Sequence, residues 1–496
     1  MTNIRVTYSG LISLLIGLVS VVTGIIFTLI VTRHLTPHEF GTWTLIGGLL
    51  TYVVVSESTI SYWTTRQIVR GEEVGKTAVF SSGIFSACAV LVYIIIAYFV
   101  SVRQGIDTTV MILGAIMVPV SFLSRTISSI NYGWRPQAVG YGTLVIEIAK
   151  IPAGLLLVYI FDLGVVGAIL STTIAYIISI IIQLIYARDK LRSKIQLNFV
   201  KKWIKFSWVT MYPGLSNIIH GLDVLVFSLI TGNVIGLAFY SASKTIASLV
   251  AQTGGISRAL YPKLLEDDKR EFLKTNLTKL FYFAFPFSAI SITFMKPALY
   301  ALNPIYETAS TVVILLTFQT FIANLSSTFY SALTGIEKVD VNENSTMRDY
   351  IKSKLFFIPT LYIIQGSIYI GTLSIGLILW TKNTPQLDLV TYWAGIFTIV
   401  QIPFTIYLYK LVKKHFVQVL DNTSIIKYLI CTVIVFVPIY FLTNHYLEYE
   451  VSIFKFLPRL LIFVLLSIGA YIVATYLIDT KTRQLFKAII GEIKKK

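Results

Sequence analysis

Charge is scarce in this chain. Asp, Glu, Lys and Arg make up 13% of its 496 residues, while hydrophobic residues make up 55%. A surface built from that mixture cannot stay hydrated, which excludes a water-soluble globular protein. Cysteine is nearly absent: Cys88 and Cys431 are the whole complement, and both fall in apolar runs. That excludes a disulfide framework and a cysteine-built metal site. Acidic residues are outnumbered 24 to 41 by Lys and Arg, but no basic soluble domain exists that would bind nucleic acid. There is no glycine-rich phosphate loop and no paired-histidine metal motif, so neither a built-in ATPase nor any cofactor is expected.

Long apolar runs fill the space that charge leaves. A helix needs about 20 mostly apolar residues to cross about 30 Å of hydrocarbon. The chain offers fourteen such spans, the first from about Gly10 to Val31. That first run is too long for a signal-peptide core and reads as a retained helix. With the N-terminus inside, 33 of the 41 Lys and Arg fall in inside segments. Six fall outside (Arg33, Arg103, Lys296, Lys382, Lys455 and Arg459), and Lys150 and Lys244 lie within spans. This asymmetry places both termini in the cytoplasm of a multi-pass protein of the cell membrane. It also makes the net charge of +17 a matter of topology and of attraction to an anionic leaflet.

The longest basic loop, "ARDKLRSKIQLNFVKKWIKF" at 187–206, divides the chain after six spans. A shift of 195 residues lays Gly41 of "LTPHEFGTW" on Gly236 of "TGNVIGLAF". Two six-span halves entering from the same side have the form of a parallel transporter repeat. The expected organisation is a six-helix lobe over 1–190, a second over 191–412, and two additional helices with a basic tail over 413–496.

"TRHLTPHEFGTWTLI" (32–46) resembles the turn after the first helix of polysaccharide flippases. "IKFSWVTMYPGLSNIIHGLDVLVFSLITGNVIGLAFYSASK" (204–244) resembles the start of that family's second half, and "ISRALYPKL" (256–264) the close of its eighth helix. The family is the polysaccharide transporter (Wzx-type) branch of the multidrug/oligosaccharidyl-lipid/polysaccharide (MOP) exporter superfamily. One departure is the spacing between Gly236 and Tyr240, longer than the family pattern. The resemblance implies an all-α membrane protein whose two six-helix bundles form a V around a central cavity. It implies movement of a lipid-linked saccharide from the cytoplasmic to the outer leaflet by alternating access, with no enzymatic step. The cavity would be lined by spans 10–32, 41–63, 203–230 and 234–256. Alternatives are a multidrug or cation exporter of the same superfamily, or an integral membrane glycosyltransferase or polymerase. No expected outside loop reaches the size, and no pair of carboxylates the placement, that such an enzyme requires.

Ionisable groups inside spans are costly and so are candidates for function. Lys244 lies about ten residues into its span, near the midplane, beside Tyr240 and Ser241. It is a candidate ligand for a lipid phosphate or a partner for Asp223. Asp223 and His220 stand i, i+3 on one helix and could serve cation or proton coupling, or form an internal pair. Glu57 is a candidate for gating or ion binding, or a partner for Arg66 or Arg125. Glu147 and Lys150, again i, i+3, can neutralise each other or face the cavity. Arg125 and Arg135 at an inner end, and Arg33 at an outer end, could escort the phosphate or simply anchor topology. The expected partners are the lipid-linked saccharide, membrane lipid and a coupling Na⁺ or H⁺, with the protein working as a monomer.

Overall fold

The computed structural model describes residues 3–192, 194–257, 271–337, 339, 347–382, 384–416, 418–450 and 452–493. Among them every regular element is helical. The first half holds α1 (Asn3–His34), α2 (Pro37–Val54), α3 (Ser58–Val69), α4 (Gly75–Gln104), α5 (Thr108–Leu113), α6 (Met117–Trp134), α7 (Gln137–Gly154) and α8 (Gly164–Ala187). There follow α9 (Leu197–Lys205), α10 (Ser207–Thr231), α11 (Ile235–Ala251), α12 (Gly254–Ser257), α13 (Glu271–Thr293) and α14 (Met295–Leu302). The last group is α15 (Ser310–Gly335), α16 (Met347–Lys352), α17 (Lys354–Trp380), α18 (Gln386–His415), α19 (Asn422–Tyr446), α20 (Ile453–Ile478) and α21 (Thr480–Ile493).

Among the described residues, twelve helical segments are long and apolar enough to span a membrane, or thirteen if the bent pair Phe272–Thr293 and Met295–Leu302 counts as one span. The eighth of the fourteen expected spans, 234–256, is not among them. Its helix α11 has 17 residues and stops at Ala251. At 1.5 Å per residue that is about 25 Å, short of the hydrocarbon thickness. The chain breaks at Gln252 and Thr253 and resumes as the short α12. Most of the "ISRALYPKL" motif lies outside the described residues.

The helices group into two compact units. One comprises Val22–Ser241 and Pro359–Val390. The other comprises Met1–Val21, Ala242–Ile358 and Thr391–Lys496.

In the first unit, a polar knot joins α6, α7 and α8. Gln183, 1% exposed, receives Ser128 Oγ on its side-chain oxygen at 2.9 Å and Asn131 Nδ2 on its carbonyl at 3.0 Å. It donates to Ser179 Oγ at 3.1 Å, and Ser179 donates to the Gly142 carbonyl at 2.9 Å. With no water in the bilayer core, such groups must find partners across helices.

The string "TPHEFG" is a helix start. Thr36 and Glu39 form a reciprocal capping box: Thr36 N–H donates to Glu39 Oε2 at 2.9 Å, and Glu39 N–H donates to Thr36 Oγ1 at 3.3 Å. Pro37 opens α2, where its missing N–H costs nothing. Phe40 is fully buried. A Cβ on Gly41 would sit 2.0 Å from the Val234 carbonyl oxygen, so only glycine lets α2 approach the turn between α10 and α11. The two turns related by the 195-residue shift therefore meet inside one unit.

In the second unit, α19 and α20 pack on α13 through aromatic rings. Tyr282 meets Tyr428 and Tyr471 at 5.1 and 5.6 Å between ring centroids, and Tyr471 donates to the Tyr282 carbonyl at 2.8 Å. Buried Asp479 accepts Tyr428 OH at 2.8 Å and the Thr482 N–H at 3.0 Å, capping α21, and pairs with Lys427 at 3.6 Å.

Gly41→Ala is expected to lower stability by about 3 kcal/mol, because a backbone carbonyl cannot yield to the new methyl. Gly47→Ala, whose added carbon meets nothing within 4 Å, should stay within about 0.5 kcal/mol of the parent. Thermal unfolding of both variants in detergent reads the difference.

Candidate functional site

The first unit collects all but one of the singled-out residues, and it does so at breaks and crossings of helices. Glu57 ends a single 3₁₀ turn, Val55–Glu57, that separates α2 from α3. Its side chain is 1% exposed. Ser61 Oγ and Thr126 Oγ1 both donate to Glu57 Oε1, the second at 3.1 Å. Among the described residues no basic group lies within salt-bridge distance. Arg125 acts on Glu57 only as a more distant charge, while its own side chain is exposed. Arg66, the other expected partner, donates instead to the Tyr62 hydroxyl. A buried carboxylate held by two hydroxyls can take up a proton or a cation, and either one relieves the cost of burying its charge.

A second cluster surrounds Asp223 on α10. Asp223, 7% exposed, accepts Tyr369 OH on Oδ2 at 2.9 Å and the Val224 N–H on Oδ1 at 2.8 Å. His220, one turn earlier, stacks on the same Tyr369 ring at 5.9 Å. The i, i+3 spacing thus brings both side chains to α17, which was not foreseen as a neighbour. Tyr52 on α2 donates to the Gly221 carbonyl between them. The Asp223 charge also reaches Tyr52 and Tyr240, and Tyr240 is 2% exposed.

Glu147 and Lys150 form the expected ion pair within α7. The pair is not isolated. Thr23 Oγ1 on α1 donates to Glu147 Oε2 at 3.0 Å, and Lys150 Nζ lies 5.7 Å from the centre of the Phe27 ring. Side-chain exposures of 18% and 15% keep both groups largely out of lipid. After Gly154 the helix relaxes into a π-turn over Leu155–Ile160, three residues beyond Pro152, which lies inside α7. Proline removes one backbone donor, and the wider turn accommodates the loss.

The remaining arginines sit at helix ends. Arg135 caps the end of α6 and lies 3.9 Å from Asp189, with its guanidinium over Trp134. Arg33, in the last turn of α1, is partly exposed. Ser241 is partly buried near the middle of α11. Lys244 belongs to the second unit, where it is exposed as the tenth residue of α11. Among the described residues no cluster of His, Cys, Asp or Glu could hold a metal ion.

Tyr52, Tyr369, Thr126 and Thr23 were not foreseen. Each is a common residue in a common context, and its meaning comes only from the carboxylate or carbonyl that it meets. Tyr369 stands 146 residues from Asp223 in the chain.

These features can be set beside known proteins. The chain belongs to the polysaccharide biosynthesis protein family, which matches residues 6–266. No curated protein matches it. Among solved structures it is similar to the lipid II flippase MurJ in an inward closed conformation, with a TM-score of 0.63 at 14% identity over 94% of this chain and 98% of that one. It is also similar to an inward-facing multidrug resistance MATE family transporter of the MOP superfamily, with a TM-score of 0.60 at 12% identity over 82% and 99%. A MOP superfamily transporter from Pyrococcus furiosus aligns with a TM-score of 0.54 at 13% identity over 83% and 96%. Likeness at such identities shows the fold, which is that of the MOP transporters. The protein is a multi-pass membrane protein of this fold.

Tyr369→Phe should destabilise the protein by about 1–2 kcal/mol, because a buried carboxylate loses its donor. Adding Asp223→Asn should recover part of that loss, since a neutral amide tolerates the site better. Thermal unfolding of the two single variants and the double variant measures the coupling.

Proposed function

We propose that this protein is a flippase that carries a lipid-linked saccharide from the inner to the outer leaflet by alternating access. The observation that carries the reading is Lys244, an exposed cation midway along the apolar 17-residue helix α11 of a polysaccharide biosynthesis family member. A cation on so apolar a helix is costly in lipid and useful in a wet cavity. Its ammonium would hold the phosphate or pyrophosphate of a polyprenyl carrier, with the lipid tail left in the bilayer. The family's link to polysaccharide synthesis and the likeness to a lipid II flippase support this substrate class.

Glu57 and Asp223 are the proposed coupling groups, exchanging a proton or Na⁺ as the cavity turns. Their burial among hydroxyl donors makes their charge state sensitive to opening. Lys150 with Glu147, and Arg33, Arg125 and Arg135, are proposed secondary cationic contacts along the path. The proposed setting is the cell membrane, with cytoplasmic termini and a working monomer of two six-helix lobes plus the C-terminal pair. A second reading, export of a drug or cation, is favoured by the two buried carboxylates. It differs in needing no cationic ligand.

Reconstitution with a labelled lipid-linked saccharide tests the assignment. Lys244→Ala should cut flipping at least tenfold, about 1.4 kcal/mol, without loss of folded protein, and Lys244→Arg should retain most activity. Normal flipping by Lys244→Ala would remove Lys244 from the substrate path. Glu57→Gln should leave flipping insensitive to an imposed pH or Na⁺ gradient, whereas unchanged gradient dependence would remove Glu57 from coupling.

A further inference from the structure

The nine-residue helix α9 stands between α8 and α10 in the first unit, and transport gives it no task. At about 100° per residue its side chains fall into three sectors. Phe199 and Trp203 form one sector and enter the packed core. Trp203 is 2% exposed, and its Nε1–H donates to Gln67 Oε1 at 3.1 Å near the end of α3. Leu197 and Ile204 form the next sector and are exposed, at 57% and 54%. Lys201 and Lys205 form the third, side by side one turn apart, and both are exposed. Among the described residues no carboxylate lies within 4 Å of either lysine. Lys205 instead rests over the Phe206 ring at 5.7 Å.

A water-facing helix has no reason to expose Leu197 and Ile204, and a lipid-buried helix has no reason to carry the lysines. The three sectors match three media: protein, hydrocarbon and charged head groups. The segment 187–206 is also the most basic loop of the chain and falls on the inside by charge distribution.

We propose that α9 is a seat for an anionic phospholipid of the inner leaflet. Its phosphate lies between Lys201 and Lys205, and an acyl chain runs along Leu197 and Ile204. The anchored Trp203 fixes the helix so that both lysines point to the head-group layer. The occupant is a resident membrane lipid, distinct from the transported molecule, and the inference depends on the inside placement of this loop rather than on the flippase reading.

The full-length protein in nanodiscs of phosphatidylcholine with a minor share of phosphatidylglycerol, released into native mass spectrometry, provides the test. The wild type should retain phosphatidylglycerol in preference to phosphatidylcholine. Lys201→Gln and Lys205→Gln should each weaken that retention about fivefold. Lys202→Gln, on the far side of the lysine sector beside the Phe199 ring, should change it little. Raising the salt should release the lipid from the wild type, a readout that needs no variant to fold. Equal retention of both lipids by the wild type, or unchanged retention in Lys201→Gln/Lys205→Gln, overturns the proposal. So does stoichiometric displacement of phosphatidylglycerol by a polyprenyl pyrophosphate, which would make the seat part of the substrate path.

Discussion

In a bilayer core there is no water to complete a broken helix or a buried carboxylate, so each polar group must be satisfied by the protein itself. That constraint accounts for most of what is specific in this molecule. The 3₁₀ turn at Val55–Glu57 is held where Ser61 and Thr126 hydroxyls converge on the Glu57 carboxylate. The carboxylate of Asp223 is held by Tyr369, and the carbonyl of Gly221 by Tyr52. In the second unit, Asn324 donates to the Val250 carbonyl at 2.8 Å and to Thr253 Oγ1 at 2.9 Å, satisfying the break where α11 ends.

The same requirement links structure to transport. A carboxylate surrounded by hydroxyls is stable when neutralised and unstable when opened as a bare charge away from water. In the proposed transport cycle, Glu57 and Asp223 would couple a local proton or cation equilibrium to whatever exposes them. Glu147 and Lys150 neutralise each other and sit against Thr23 and Phe27. Through that pair α7 is tied to α1 by a hydroxyl hydrogen bond and a cation–π contact.

Much of this is legible in the sequence. The apolar runs gave the helices, and the Glu147–Lys150 pair followed from spacing alone, because i, i+3 neighbours on one helix are forced together. Long-range partners were not legible. Of the two readings of Glu57, gating or ion binding and a partner in Arg66 or Arg125, the second is not met: two hydroxyls occupy that place, and a threonine carries no sequence signal that marks it as a ligand. In the sequence, the "TPHEFG" string resembles a family signature. Its physical content, a capping box followed by a close approach to Val234, needed the position of a residue nearly two hundred places away.

The sequence by itself determined the solvent. Its scarcity of charge, its run lengths and its lopsided basic residues require a helical membrane protein, because hydrocarbon thickness and leaflet charge act on local composition. Tertiary structure decided which ionisable groups are buried and what they meet. It shortened α11 to 17 residues, placed Tyr369 against both Asp223 and His220, and turned α9 into a helix with three distinct faces. Those outcomes depend on contacts between segments far apart in the chain, and no local pattern encodes the geometry of such a meeting.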